Sequence, residues 1–155
     1  MNIMQSKERR VMESRIHNPH KAKQLIDFMG CQVGSDNMYP TDIDALIEYK
    51  DKEYIIFEVK FGDTPVPLGQ KLALQRMVDD FTKVGKQAIV FVCEHTVRDA
   101  EKPIIMARCR VREIYYGDEK QWRAPEKTMT VREALSSFLR YSTAKPQQII
   151  GGIST

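Results

Sequence analysis

Apolar and polar positions along the chain switch between a helical spacing and a strand spacing. Apolar residues three and four apart predict a helix between Asn18 and Gly30, and alternation from Thr41 predicts a strand. A continuous apolar run at Ala88–Cys93 predicts a strand that is buried on both faces at the centre of a sheet. In chain order, the predicted elements are helices at 6–17 and 19–29, strands at 41–49 and 54–60, a helix at about 68–84, strands at 87–93, 104–116 and 121–123, and a helix from 131.

This order of elements indicates one α/β domain over residues 1–141. Its core spans about residues 6–93, and a C-terminal addition at about 103–141 supplies a β-hairpin and a helix. A Thr-x-x-Glu capping box at 130–133 opens that last helix. Residues 142–155 are predicted to be a flexible tail.

Composition and length exclude several classes of protein. The chain has 155 residues, of which 42% are hydrophobic and 29% charged, so neither a disordered chain nor a solenoid is indicated. The longest apolar run is far shorter than the roughly 20 residues of a membrane span, and the N-terminus lacks the pattern of a signal peptide. Three scattered cysteines argue against a disulfide framework and favour a reducing cytosol.

Charge is unevenly distributed, although the net charge is only +3. Residues 31–60 carry seven acidic and three basic side chains, whereas both flanking regions are basic. An acidic centre between basic flanks suits a metal site set in a phosphate-binding surface. A solvated hairpin with ordinary surface charge is the alternative.

Two charged residues, Glu58 and Lys60, lie near the end of an otherwise hydrophobic strand. They are two positions apart, so both side chains point to the same face of the sheet. Phe57, Val59 and Phe61 point the other way. A carboxylate and an ammonium at this place indicate a chemical role.

The turn before this strand decides which charged side chains meet. A three-residue turn at 50–52 places Asp44 opposite Glu58 and Asp42 opposite Lys60. A four-residue turn separates these groups, and it leaves charged and apolar residues mixed on both faces. We therefore predict the three-residue turn.

Asp44 and Glu58 at this distance repel each other unless a cation neutralises them. Oxygen ligands suit Mg²⁺, which takes one or two carboxylates, keeps several waters and uses substrate phosphate for the rest. Lys60 beside such a metal would orient or activate a water, or stabilise the transition state. The set predicts metal-assisted phosphodiester hydrolysis.

Asp44, followed after a hairpin by Glu58-Val59-Lys60, resembles the PD-(D/E)XK nuclease superfamily over roughly residues 6–93. This superfamily includes restriction endonucleases, archaeal Holliday-junction resolvases, RecB-type nuclease domains and virus-type replication-repair nucleases. The resemblance implies a restriction-endonuclease-like α/β fold, with a mixed sheet flanked by helices. It also implies that Asp44, Glu58 and the Val59 carbonyl bind Mg²⁺, for which Mn²⁺ substitutes, and that Lys60 serves the attacking water.

Gln70 extends this resemblance. Replication-repair and RecB-like nucleases often carry a glutamine here that reaches the active site. Gln70 shares a helical face with Leu74, Met77 and Phe81, so we expect its side chain to point at the sheet.

The sequence departs from the family pattern at the first aspartate. The chain reads Pro-Thr-Asp-Ile-Asp from Pro40, so either Asp42 or Asp44 is the ligand. The Ile-Asp form favours Asp44, and the nearness of the proline favours Asp42. Many families also use a glutamate on the first helix, for which Glu8 and Glu13 are candidates, with a surface salt bridge as the alternative for each.

The C-terminal addition carries two further candidate sets. Alternating arginines on its first strand would contact phosphates, or would form a solvated strand face. Its aromatic residues would stack on bases, or would pack the addition against the core. The arginines are Arg108, Arg110 and Arg112, and the aromatic residues are Trp122, Tyr115 and Tyr116.

The sequence therefore predicts a Mg²⁺-dependent deoxyribonuclease that acts in viral or bacterial recombination, repair or replication. A catalytically inactive nucleic-acid-binding or assembly module with the same fold is the alternative. The expected partner is DNA, whether duplex, branched or single-stranded, and the expected location is the cytoplasm without a membrane contact. The oligomeric state stays open, a homodimer included.

Overall fold

The computed structural model describes residues 25–145. The chain falls into two units, one that ends at Pro40 and one that begins at Thr41. The helix predicted at 6–17 lies outside the described residues.

In the first unit, the second predicted helix is absent over residues 25–30. Leu25 and Ile26 are 99% and 76% exposed, so the apolar positions that define the helical pattern are not buried. The Asp27 carboxylate accepts a hydrogen bond from the backbone N–H of Met29, a local contact that competes with helical bonds. The helix prediction is wrong for these residues because helices of this length depend on burial of an apolar face.

The second unit contains a five-stranded mixed sheet and two α-helices, which confirms the α/β class. The elements are β1 (Ala45–Tyr49), β2 (Glu53–Phe61), α1 (Leu68–Lys83), β3 (Gln87–His95), β4 (Arg110–Tyr116), β5 (Gln121–Arg123) and α2 (Val131–Ala144). The strands lie in the order β1-β2-β3-β4-β5. Only β2 and β3 are parallel; the other neighbouring pairs are antiparallel. The apolar strand β3 occupies the centre, as predicted.

The two helices cover opposite faces of the sheet. Leu74 and Val78 of α1 are fully buried against one face. Ala134 and Phe138 of α2 pack against the other face, together with Phe57 of β2. Since α1 forms the crossover between the parallel strands β2 and β3, its first turn lies close to the carboxyl end of β2.

The strand predicted from Ile104 begins only at Arg110. Residues 106–108 form a 3₁₀ turn, and the Ile104 and Ile105 side chains are exposed. The pairing between β3 and β4 ends at Glu94–Arg110, so the earlier residues have no strand of the described sheet beside them. The apolar and alternating sequence is therefore not sufficient to make them a strand.

Helix α2 opens at the predicted capping box, in which Thr130 and Glu133 exchange hydrogen bonds. It extends to Ala144, beyond the predicted start of the tail at residue 142. The reason is the Ser142 hydroxyl, which is buried and donates a hydrogen bond to the buried carboxylate of Glu53 at the start of β2. The tail prediction is thus wrong for the end of this helix, and residues from 146 onward lie outside the described residues.

Neither helix of the described region has the length and apolar character that a bilayer crossing requires.

Candidate active site

The turn between β1 and β2 fixes which side chains meet at the end of the hairpin. Tyr49 pairs with Glu53, so residues 50–52 form the predicted three-residue turn. Lys50 and Asp51 have positive φ angles of 54° and 57°, a conformation that tight turns require. The register prediction is confirmed.

This register brings Asp44 beside Glu58. The ladder ends at the pair Ala45–Phe57, and Asp44 is the next position along the same line. Asp44 Oδ2 accepts a hydrogen bond from the backbone N–H of Val59 at 2.6 Å. The backbone of β2 therefore holds the Asp44 carboxylate next to Glu58.

Glu58 is a buried carboxylate, only 2% exposed. Its Oε1 lies 2.7 Å from Lys60 Nζ, and its Oε2 accepts a hydrogen bond from Gln70 Nε2 at 2.8 Å. Burial raises the pKa of Glu58, the hydrogen bond from Lys60 opposes that shift, and the negative charge of Asp44 adds to it. Both oxygens are thus oriented, while the site still carries more negative than positive charge.

Gln70 lies in the first turn of α1 and links three parts of the site. Besides bonding Glu58, its Nε2 donates to the backbone carbonyl of Asp42 at 3.3 Å. Its Oε1 accepts a hydrogen bond from Lys60 Nζ at 3.5 Å. The expectation that Gln70 points at the sheet is confirmed.

The two aspartates take different positions. Asp44 presents its carboxylate to the site, whereas Asp42 contributes its backbone carbonyl to Gln70. The register predicted that Asp42 lies opposite Lys60, but the ammonium of Lys60 pairs with Glu58 instead. Asp42 precedes the end of the ladder, so pairing does not hold it against Lys60. The geometry favours Asp44 as the partner of Glu58.

The donor set at this place is small and consists of oxygen atoms. Asp44 and Glu58 supply two carboxylates, and residues 25–145 contain no group of three or more His, Cys, Asp or Glu side chains suited to a metal. Mg²⁺ commonly uses only one or two protein carboxylates. A hard divalent cation fits this pair, because it would offset the excess negative charge beside the buried Glu58.

A second ion pair lies further along the first turn of α1. Lys71 Nζ is 2.6 Å from Glu113 Oε1 on β4, and the same ammonium lies 4.5 Å from the centre of the Trp122 ring. Glu58, Val92 and Glu113 are aligned across β2, β3 and β4. Sequence reasoning missed this pair, because its members are 42 positions apart and lie on elements without a shared motif.

Arg112 supports the loop between β2 and α1. Its guanidinium donates to the carbonyl of Gly62 at 2.9 Å and to that of Thr64 at 2.7 Å. The register of β4 shifts between Val111 and Glu113, which leaves Arg112 in a β-bulge. The loop that joins Lys60 to Gln70 is therefore hydrogen-bonded to β4, which lies two strands away from β2.

The aromatic residues of the C-terminal addition form packing contacts. Trp122 lies 5.2 Å from Tyr115 between ring centres, and its Nε1 donates to Gln75 of α1 at 3.0 Å. Tyr116 contacts Phe138 edge to face on the opposite side of the sheet. These contacts confirm that the addition packs against the core.

Glu8 and Glu13, the candidate ligands on the first predicted helix, lie outside the described residues.

No family model, curated protein or solved structure matches the chain.

Proposed function

We propose that this protein is a divalent-metal-dependent nuclease of the PD-(D/E)XK type, which hydrolyses phosphodiester bonds of DNA. One observation carries the proposal: three segments of the chain meet at the buried carboxylate of Glu58. Lys60 of the same strand and Gln70 of α1 contact its two oxygens, and Asp44 is bonded to the next residue of the strand, Val59. Desolvation disfavours the charge of a carboxylate at that depth, and the neighbouring Asp44 disfavours it further, so the pair supports a site that binds a cation.

The residues have distinct roles in this proposal. Asp44, Glu58 and the Val59 carbonyl would hold Mg²⁺ or Mn²⁺. When bound, the metal supplies Lewis-acid polarisation of a phosphate oxygen and lowers the pKa of a bound water. Lys60 donates hydrogen bonds from its ammonium to the attacking water or to the phosphate oxygen on which charge develops. Gln70 is a positioning residue that fixes the Glu58 carboxylate and the Lys60 ammonium together.

The order of elements also supports a restriction-endonuclease-like core. An acidic residue precedes one strand of a hairpin, a Glu-x-Lys lies on the next strand, and a helix then crosses to a parallel strand. This order matches the family pattern and positions Gln70 in the first turn of the crossover. DNA as substrate and a cytoplasmic location are further parts of the proposal.

A second candidate is a nucleic-acid-binding module that has the fold but no activity. Both oxygens of Glu58 already have partners within the chain, Lys60 on one side and Gln70 on the other. Each carboxylate oxygen has two lone pairs, so an active enzyme would bind the metal through lone pairs that these contacts leave. In an inactive module, the two contacts would serve the fold alone and no metal would bind.

The test is cleavage of linear and branched DNA by the purified protein in Mg²⁺, in Mn²⁺ and in EDTA. We expect metal-dependent cleavage, and Lys60→Ala should lower the single-turnover rate at least ~100-fold while metal and DNA binding persist. Lys83→Ala is the matched control, since Lys83 is an exposed lysine of α1 that pairs with its neighbour Asp80. Cleavage at the wild-type rate by Lys60→Ala would reject the role of Lys60, and a wild-type protein that binds DNA without cleaving it would favour the inactive module.

A further inference from the structure

The structure separates the three arginines that the sequence places on one strand. Arg108 lies in the 3₁₀ turn before β4, and its side chain is exposed. The guanidinium of Arg112 is engaged by the carbonyl groups of Gly62 and Thr64. Arg110, at the start of β4, remains as the arginine with an exposed guanidinium beside the candidate active site.

Arg110 lies in line with Lys60 across the sheet. Lys60 pairs with Glu94 between β2 and β3, and Glu94 pairs with Arg110 between β3 and β4. Glu94 is on the same face as Val90, which packs under α1, so this row continues the face that carries Glu58. Two strand spacings separate the backbones of Lys60 and Arg110 by about 10 Å.

The contact between Arg110 and Glu94 orients the guanidinium. Arg110 Nε lies 2.6 Å from Glu94 Oε1, and the Arg110 side chain is 51% exposed, against 17% for Glu94. The bond uses Nε, and within residues 25–145 no contact engages the two terminal amino groups of this guanidinium. A guanidinium fixed at one nitrogen and open at two is suited to bidentate binding of a phosphate.

We infer that Arg110 binds a second backbone phosphate of the nucleic-acid substrate, close to the scissile phosphate near Lys60. This inference rests on the proposed function for the identity of the substrate. Because Lys60, Glu94 and Arg110 lie in one row across three strands, the two phosphates would be bound on the same face of the sheet. Glu94 is the residue that positions the arginine.

Binding of a labelled DNA duplex, measured in Ca²⁺ over a range of salt concentrations, tests this site. Each phosphate contact contributes about 0.9 to the slope of log K against log salt. Arg110→Ala should weaken binding and reduce the slope by about 0.9, and Arg110→Lys should retain most of the slope. Arg108→Ala removes the same charge two positions away and should leave the slope nearly unchanged.

A slope that Arg110→Ala leaves intact, or that both alanine variants reduce equally, would overturn the inference. This experiment distinguishes a failure of the Arg110 phosphate site from a failure of the proposed nuclease activity. DNA binding with the expected Arg110 effect but without cleavage in Mg²⁺ would reject the nuclease chemistry alone. Cleavage of DNA without an Arg110 effect on the slope would reject the phosphate site alone.

Discussion

The first turn and the middle of helix α1 meet the same sheet in opposite ways. In the middle of the helix, Leu74 and Val78 close the interface with apolar side chains that are fully buried. At its first turn, Gln70 and Lys71 meet carboxylates on β2 and β4 instead. One helix and one sheet face therefore support an apolar interface and a polar one within two turns.

An interface that served stability alone would be apolar at the first turn of α1 as well. An apolar residue in place of Glu58 could continue the Leu74–Val78 interface, and buried ion pairs are often no more stable than apolar replacements of similar volume. Burial without full compensation raises the pKa of Glu58. We infer that the polar first turn is maintained for chemistry and the apolar middle of the helix for stability.

The largest expected effect distinguishes the two aspartates at the polar end. Asp44→Asn should reduce cleavage at least ~100-fold, since it removes the carboxylate beside Glu58. Asp42→Asn should reduce activity less, because Asp42 contributes its backbone carbonyl and an amide side chain preserves that group. Single-turnover cleavage measures both. The reverse ranking would show that Asp42 is the ligand.

Two substitutions on α1 compare its first turn with its middle. Leu74→Ala should lower the free energy of unfolding by about 2–5 kcal/mol, the usual result for a fully buried leucine. Its activity per folded molecule should stay close to wild type. Gln70→Ala should destabilise by only about 1–2 kcal/mol yet lower activity about 10–100-fold. Urea unfolding measures the stability of both variants, and cleavage assays measure their activity. If each variant loses stability and activity in the same proportion, the first turn and the middle of α1 do not differ in role.

Much of the second unit can be predicted from sequence because its signals are local. The alternation before Tyr49 and the short polar turn determine the hairpin register, and the apolar run of β3 determines the centre of the sheet. The helix predicted at 19–29 fails over residues 25–30 for the complementary reason. Its apolar residues have helical spacing, but Leu25 and Ile26 are exposed, so no buried apolar face stabilises a helix there.

The candidate site, too, could be predicted only where its contacts are local in the sequence. Asp44, Glu58, Lys60 and Gln70 lie within one hairpin and the following helix, so spacing predicts their approach. Arg112 lies 48 to 50 positions from the carbonyl groups that it holds, and a β-bulge sets its direction. No spacing rule in the sequence predicts such a contact, since it depends on where β4 pairs.

The smallest expected effect concerns the cysteines, which report whether the sheet face under α2 is buried. Burial raises the pKa of Cys93 from an ordinary 9.0 to about 12, and it also raises that of Cys109, while Cys31 is exposed. At pH 8, alkylation of the native protein should therefore modify Cys31 quickly and the other two only after unfolding. Because the folded-state pKa of Cys93 is raised, its contribution to stability is complete below pH 9 and is lost as the pH rises towards 12. Rapid alkylation of Cys93 would show that this face is open.

The most direct test of the central claim is the thermal unfolding of wild type and Glu58→Gln, each in EDTA and in Mn²⁺. A ligand that binds only the folded state stabilises it, so Mn²⁺ should raise the Tm of the wild type. Glu58→Gln should show no Mn²⁺ shift, and in EDTA it should unfold at the wild-type Tm or a few degrees above it, because the substitution relieves the repulsion from Asp44 and the Lys60 ammonium stays partly exposed to water. A Glu58→Gln variant that keeps the full Mn²⁺ shift, or that loses several kcal/mol of stability in EDTA, would show that Glu58 serves the fold and not the metal.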